Sequence, residues 1–191
     1  AGTTQMCIML AVFMGKVLKK KTAVAGDEVT YSLMLRQMQK AAAIQHKGIA
    51  SRHAYSMDGI DYYCGIRDED IGILRQKYDV IILDISFENT FDNTNVTFAR
   101  MVSRLSACDE KILAGSMLPW KSRECEKKME RIERFLDIRG LKMVTLAACD
   151  KEAVSIIKKH GVEVVLIPFE RNPFVISGEN LRSFLELLKI T

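Results

Sequence analysis

The chain has 191 residues, of which 48% are hydrophobic and 27% are charged, and its formal net charge is +4. A chain of this length and composition can bury an ample core, so we predict one soluble domain spanning residues 1–191. The basic residues are spread along the chain, which gives no strong signal for nucleic-acid binding. The five cysteines are odd in number and form no C-x-x-C pair, which favours reduced, buried thiols and a cytoplasmic setting.

The first ten residues, AGTTQMCIML, place a glycine and two threonines before an apolar run. Thr3 or Thr4 is a suitable N-cap, and apolar residues recur at helical spacing after it, so we predict a helix to about Lys20. The apolar run is too short to span a bilayer, and its lysines follow it, unlike those of a signal peptide. A basic amphipathic helix with peripheral membrane contact is a weaker alternative.

After this helix, short apolar runs alternate with segments of helical periodicity. We predict strands at 21–26, 78–86, 111–116, 141–147 and 162–169. We predict helices through Met34 and Met38, at 68–76, up to about Ala107, at 120–138, at 150–161 and from Glu179 onward. Segment 44–65 predicts two short extended pieces around a turn at Met57-Asp58-Gly59.

The alternation of apolar strands and helices predicts an α/β fold, with a mostly parallel central sheet flanked by helices on both faces. In such sheets, ligands bind beyond the carboxyl ends of the strands, where loops and helix N-termini meet. Candidate residues at these ends are Gly2, Thr3, Thr4, Asp27, Glu28, Asp84, Ser86, Glu88, 116–120 and 168–173. Helix amides attract phosphate and a strand-end aspartate can hold Mg²⁺, although the same aspartate can simply cap the following loop.

Several stretches together resemble the ParA/MinD-like branch of the P-loop ATPases, the group with a deviant Walker motif. The phosphate loop of that family ends G-K-T-T before a helix of pattern AINLA, and residues 2–11 here read GTTQMCIMLA. Its Walker B strand, YDYIIID, is similar to YDVIILD at 78–84. Segments 103–120 and 164–172 resemble its ADEVLVPV stretch and its IPxD loop near the base. The resemblance covers almost the whole chain and implies a P-loop fold.

The resemblance also implies a ligand, which is ATP or ADP together with Mg²⁺. The residues that it assigns to nucleotide binding are Gly2, Thr3, Thr4, Gln5, Pro168 and Glu170. It assigns Thr4 and Asp84 to the metal, and it makes Asp27 the catalytic residue that polarises the attacking water. Because members of the family pair around bound nucleotide, a homodimer or a protein partner is expected.

The sequence departs from the family pattern at positions that matter for catalysis. Thr3 occupies the position of the Walker lysine, and a hydroxyl cannot replace an ammonium that neutralises phosphate charge. Gly26 stands where the first strand-end aspartate is expected, and segment 145–150 has no asparagine to read adenine. We therefore predict a degenerate member, a nucleotide-binding, regulatory or scaffolding module with weak or no ATP hydrolysis. We also expect the family's first strand and its earlier glycines to lie upstream of Ala1.

Two other functions stay open at this point. In the first, residues upstream of Ala1 or a partner subunit complete an active ATPase. In the second, the chain is a receiver-like signalling domain with Asp84 as phospho-acceptor, although the gap from Asp27 is long for that class. For partner contacts, helix 120–139 has an apolar stripe and charged faces that ordinary solvation also explains, and Trp120 and Phe174 are candidate anchors.

Overall fold

The computed structural model describes residues 2–26, 42–44, 49, 53–85, 95–115, 119–137, 141–145 and 151–190. By their contacts, residues Thr3–Phe87 and Asn172–Ile176 form one compact unit, and Glu88–Arg171 and Ser177–Thr191 form most of a second. The single domain stays a prediction. None of the helices in the described ranges is both long and apolar enough to cross a membrane.

The first unit is built on a five-stranded sheet with the strand order β2-β3-β4-β1-β5. Its strands are β1 (Thr22–Gly26), β2 (Ala42–Ala43), β3 (His53–Met57), β4 (Ile60–Cys64) and β5 (Val80–Asp84), and its helices are α1 (Thr3–Val12) and α2 (Asp68–Arg75). Strand β1 is parallel to both β4 and β5, whereas β3 is antiparallel to its two neighbours. The predicted α/β class is confirmed.

Strand β1 lies between β4 and β5, and all five of its residues are buried. Its last residue, Gly26, is in register with Cys64 of β4 and with Asp84 of β5. The carboxyl ends of the three parallel strands therefore coincide. In open parallel sheets, this is the edge at which ligands bind.

Helix α1 is buried along most of its length, because every residue from Met6 to Val12 is in the core. It therefore lacks the exposed polar face that a surface membrane helix needs, so the amphipathic-helix alternative for this segment is wrong. The helix continues as a π-helical segment, Phe13–Val17, which the helical periodicity did not predict. Here the Leu18 amide donates to the Phe13 carbonyl at 3.1 Å, which spans one residue more than an α-helical bond.

The π-helical segment packs closely against the sheet. A Cβ on Gly15 would lie 3.0 Å from Cγ1 of Ile60, so the helix backbone runs against the sheet at this point. Leu74 of α2 instead joins the core cluster of Ala23, Ala25 and Tyr63. Because neighbouring strand residues point to opposite faces, α1 and α2 cover opposite faces of the sheet, as predicted.

The turn between β3 and β4 has the chemistry that a two-residue hairpin needs. Asp58 and Gly59 both have left-handed backbones, with φ values of 53° and 79°. An Asp-Gly turn with two positive φ angles matches the twist of the strands it joins. The predicted turn at this place is confirmed.

A network of tyrosine hydroxyls links strand β4 to the residue two positions before β5. The Tyr78 hydroxyl donates to Asp61 Oδ2 at 2.5 Å and lies 2.6 Å from the Tyr63 hydroxyl. Burial raises the pKa of Tyr78, and its hydrogen bonds to Asp61 and Tyr63 raise that pKa further. The network gives these buried polar groups hydrogen-bond partners in place of water.

The second unit contains a three-stranded parallel sheet in the order β6-β7-β8. Its strands are β6 (Ile112–Ala114), β7 (Lys142–Thr145) and β8 (Glu163–Leu166), and its helices are α3 (Asn95–Ser106), α4 (Pro119–Glu133), α5 (Lys151–Lys158) and α6 (Gly178–Leu188). Each lies close to the position that the sequence predicts, and α4 and α6 begin one residue earlier than predicted. The helix predicted through Met34 and Met38 lies outside the described residues.

Helix α4, which the sequence offered as one candidate surface for partner contacts, buries most of its apolar stripe. Cys125, Met129 and Ile132 are in the core, whereas Phe135, just beyond the helix, is 63% exposed. Phe174, one of the two candidate anchors, is half-buried. The side chain of Trp120 lies outside the described residues.

Candidate functional site

The clearest polar contact at the carboxyl edge of the first sheet joins helix α1 to strand β5. The Thr4 hydroxyl, in the first turn of α1, donates a hydrogen bond of 2.7 Å to Oδ2 of Asp84. Asp84 is the last residue of β5, and only 7% of it is exposed. The structure therefore brings together the two residues predicted to hold a metal.

Local sequence explains why the helix begins here. Gly2 has a φ of 129°, a backbone conformation that favours glycine, and α1 starts at the next residue. The amides of a first helical turn have no partner within their own helix. Gly2 directly precedes α1, and Thr3, Thr4 and Gln5 are its first three residues, so all four lie at the positive end of the helix dipole, which favours an anion.

Cys7 lies one turn along α1 from Thr4 and belongs to the same edge. Burial raises the pKa of its thiol, and the negative charge of Asp84 raises it further. The sequence predicted only a buried thiol at Cys7. Its spacing of three residues from Thr4 on a helix was the signal that could have placed the two on one side.

The strand next to β5 contributes no acid to the described part of this edge. Gly26 is paired with Asp84, and its carbonyl accepts the amide of Gly65 at 2.9 Å. The predicted catalytic residue, Asp27, follows directly in the chain but lies outside the described residues. Its role stays a prediction.

The predicted base-binding residues, Pro168 and Glu170, belong to the second compact unit. They follow β8 and precede α6, and Glu170 Oε2 accepts a hydrogen bond of 3.3 Å from the side-chain amide of Asn180. Asn180 is fully buried, and its backbone amide donates to the Ser177 hydroxyl that caps α6. Asn180, fixed at the start of α6 by its bond to Ser177, therefore holds the Glu170 carboxylate.

The pair formed by Thr4 and Asp84 fits a hard cation. A hydroxyl oxygen and a carboxylate oxygen are the donors that Mg²⁺ takes, usually with one or two protein ligands and the phosphates of a nucleotide. Within the described ranges, no group of three His, Cys, Asp or Glu side chains is placed to hold a metal by itself. The donor set suits a metal that arrives with a phosphate ligand.

No family model and no curated protein matches the chain. Among solved structures, the MinD cell division protein of Aquifex aeolicus matches with a TM-score of 0.63, covering 100% of this chain and 94% of that one. The fold is similar to that of MinD. The MinC:MinD cell division protein complex of the same organism matches with a TM-score of 0.57, covering 94% of this chain and 80% of that chain.

The likeness to MinD is one of fold alone, because the sequence identities are 12% and 13%. It agrees with the sequence resemblance on the order of strands and helices.

Proposed function

We propose that this chain is a ParA/MinD-like nucleotide-binding or scaffolding module that takes ATP or ADP with Mg²⁺ and hydrolyses ATP weakly or not at all. The observation that carries the proposal is the 2.7 Å contact from the Thr4 hydroxyl to Asp84 at the carboxyl edge of the sheet. The likeness of the fold to MinD supports it.

In this proposal, the first turn of α1 binds the phosphate groups. The amides of Thr3 and Thr4 donate hydrogen bonds to phosphate oxygens, Gln5 follows them in the same turn, and the helix dipole assists. The Thr4 hydroxyl and Asp84 would hold Mg²⁺, which supplies positive charge against the phosphates. Asp84 also holds the Thr4 side chain in one orientation before any ligand binds, because its carboxylate accepts a hydrogen bond from the Thr4 hydroxyl.

Weak catalysis follows from the residue at the Walker lysine position. Thr3 offers a neutral hydroxyl there, whereas the family's lysine places a full positive charge on the β- and γ-phosphates. A cation that stabilises this transition state is worth about 10³-fold or more in turnover. Binding by backbone amides does not depend on that charge, so affinity is retained better than catalysis.

The proposal extends to a partner. The family resemblance also implies base contacts from Pro168 and Glu170, and those two roles stay predictions. One solved structure with this fold is a MinC:MinD complex, and by analogy we assign this chain a homodimer or a protein partner. Gel filtration with light scattering, with and without Mg²⁺ and ATP, measures whether the chain pairs.

The proposed function is tested by equilibrium binding of a fluorescent ATP analogue. We expect saturable binding that requires Mg²⁺ and weakens at least about tenfold in Asp84→Asn, since the variant loses one charged ligand. Asp109→Asn makes the same change at an exposed aspartate and serves as the matched control. Binding that is equal in Asp84→Asn and wild type contradicts the proposed site.

A phosphate-release assay distinguishes the proposed function from the alternative of an active ATPase. We expect wild-type turnover close to the buffer background and a measurable increase in Thr3→Lys, which restores an ammonium at the Walker position. Brisk wild-type turnover would favour an ATPase completed by other residues. We do not propose the receiver alternative, because its phospho-acceptor would be Asp84, whose carboxylate is buried against Thr4.

A further inference from the structure

The residues around the proposed phosphate site carry little positive charge. The three parallel strands of the first unit end in Gly26, Cys64 and Asp84, of which only Asp84 is a charged residue type. The first turn of α1, residues 3–6, contains neither an acidic nor a basic side chain. The edge that these residues form therefore holds one buried carboxylate and no side-chain cation.

The basic side chains of the first unit lie towards the other end of the sheet. Strand β1 alone separates its two ends by about 13 Å, which is four steps of about 3.3 Å. Among the described residues of this unit, Arg67 is the one basic residue that follows the end of a strand, and it forms an ion pair of 3.4 Å with Glu69. The others come before the amino-terminal end of β1 or β5, and they are Lys16, Lys19, Lys20, Lys21, Arg75 and Lys77.

The sequence that follows the strand ends adds acids and no bases. Asp27 and Glu28 come directly after β1, and Glu88 and Asp92 come shortly after β5. No Lys or Arg occurs at positions 27–35 or 85–94. These four acids lie outside the described residues, and their place in the chain alone shows that the connections leaving β1 and β5 are acidic in composition.

This balance of charge disfavours a ligand with more phosphate groups. A helix N-terminus supplies the equivalent of about half a positive charge, whereas the Asp84 carboxylate supplies a full negative one. The Mg²⁺ complex of ADP has one net negative charge, and that of ATP has two. Because a buried charge is screened less than an exposed one, the additional charge of the third phosphate is repelled by Asp84.

We propose that this edge selects a nucleoside diphosphate over the triphosphate, so that ADP with Mg²⁺ is the preferred ligand. The inference rests on the proposed nucleotide function and narrows its ligand. Mg²⁺ needs phosphate oxygens in addition to Thr4 and Asp84, and a diphosphate supplies them. A third phosphate adds negative charge where the described residues of this unit supply no unpaired cation. Such a module responds to the level of ADP and not to the hydrolysis of ATP.

Competition binding measures this preference. A fluorescent ADP analogue is bound to the wild-type chain at saturating Mg²⁺, and it is displaced by unlabelled ADP or by the β,γ-imido analogue of ATP, which resists hydrolysis. The two competitors share the base, the ribose and two phosphates, so the ratio of their dissociation constants isolates the third phosphate. We expect ADP to bind at least about fivefold more tightly. A higher salt concentration should narrow the ratio, because it screens the charges.

Two variants with the same change in net charge test the cause of the preference. Thr3→Lys adds an ammonium group to the first turn of α1, so it should shift the ratio towards the triphosphate by at least about fivefold. Asp109→Asn raises the net charge equally at an exposed residue of the second unit and should leave the ratio unchanged. Thr3→Gln lengthens the same side chain without a charge and should also leave the ratio unchanged. Circular dichroism checks that each variant is folded.

Two results would overturn the inference and leave the proposed function intact. The first is binding of the triphosphate to wild type as tightly as the diphosphate, or more tightly. The second is a ratio in Thr3→Lys that equals the ratio in Asp109→Asn, which would remove the electrostatic cause. Absence of saturable binding by the fluorescent ADP analogue would instead contradict the proposed function, and the inference would fail with it.

Discussion

The Thr4 hydroxyl donates a 2.7 Å hydrogen bond to the Asp84 carboxylate across 80 residues of sequence. This contact fixes the first turn of α1 against the last residue of β5. It places a helix N-terminus, a hydroxyl and a buried carboxylate at one edge of a parallel sheet, which is the arrangement that a phosphate with a divalent cation requires.

Removing that hydroxyl should cost stability as well as ligand binding. Thr4→Val keeps the shape of the side chain but takes a donor away from a buried carboxylate, so we expect the free energy of unfolding to fall by about 1.5–3 kcal/mol. Thr4→Ser keeps the hydroxyl and should lose less. Urea denaturation of the three proteins measures the difference, and a Thr4→Val variant as stable as wild type would show that the bond contributes nothing.

Substitution of glycine by alanine should have opposite effects on stability at Gly15 and at Gly72. Gly15→Ala brings a Cβ to 3.0 Å from Ile60 Cγ1, so we expect a loss of about 1–3 kcal/mol from overpacking. Gly72 lies in α2 with nothing within 4 Å of a new Cβ, so Gly72→Ala should stabilise the helix by about 0.5–1 kcal/mol. Thermal unfolding measures both. A stabilised Gly15→Ala would contradict the close approach of the π-helical segment to β4.

The tyrosine network predicts a loss of stability at high pH. The pKa of Tyr78 is raised above its ordinary value of 10.0 in the folded chain, so the unfolded chain releases this proton first. Stability is therefore complete below pH 10 and falls as the pH rises above it, by about 1.4 kcal/mol per pH unit for each such tyrosine. Burial raises the pKa of Tyr62 in the same direction.

Tyr78→Phe should make this alkaline decline shallower by about one proton, and it should lower stability at neutral pH because Asp61 loses a donor. Urea unfolding at a series of pH values measures the slope. An alkaline slope in Tyr78→Phe equal to that of wild type would contradict the assignment of a retained proton to this hydroxyl.

The cysteines should differ in reactivity. Only the thiolate reacts with iodoacetamide, and both burial and Asp84 disfavour the thiolate at Cys7, whereas Cys108 is half-buried at the end of α3. We expect Cys108 to be alkylated at least about ten times faster than Cys7 in the folded protein. Peptide mapping by mass spectrometry measures the two rates, and labelling in urea is the control in which the difference should vanish. Faster labelling of Cys7 would contradict its burial beside Asp84.

Sequence patterns predicted the elements that are shaped locally. The apolar runs at β1 and β5, the Asp58-Gly59 turn and the helices on either side of the sheet follow from periodicity and turn chemistry. The Thr4 and Asp84 contact followed from the family resemblance and from the rule that strand ends converge.

Features that depend on distant residues were not predicted. The π-helical segment lies where Gly15 meets Ile60, and no local pattern records that contact. The apolar run of β5 is typical of a fully buried parallel strand, yet β5 lies at the end of the described sheet, with Ile81 and Leu83 half-buried. The proximity of Cys7 to Asp84 likewise depends on the sheet that brings β5 beneath α1.

The most direct test of the proposed nucleotide site is a titration of threonine-labelled protein with ADP and Mg²⁺, followed by amide NMR. The site predicts saturable shifts of the Thr3 and Thr4 amides, while the amide of Thr22, at the far end of β1, stays unmoved. Titration without any change at Thr3 and Thr4, or with changes confined to threonines elsewhere in the chain, would contradict a phosphate site at the start of α1.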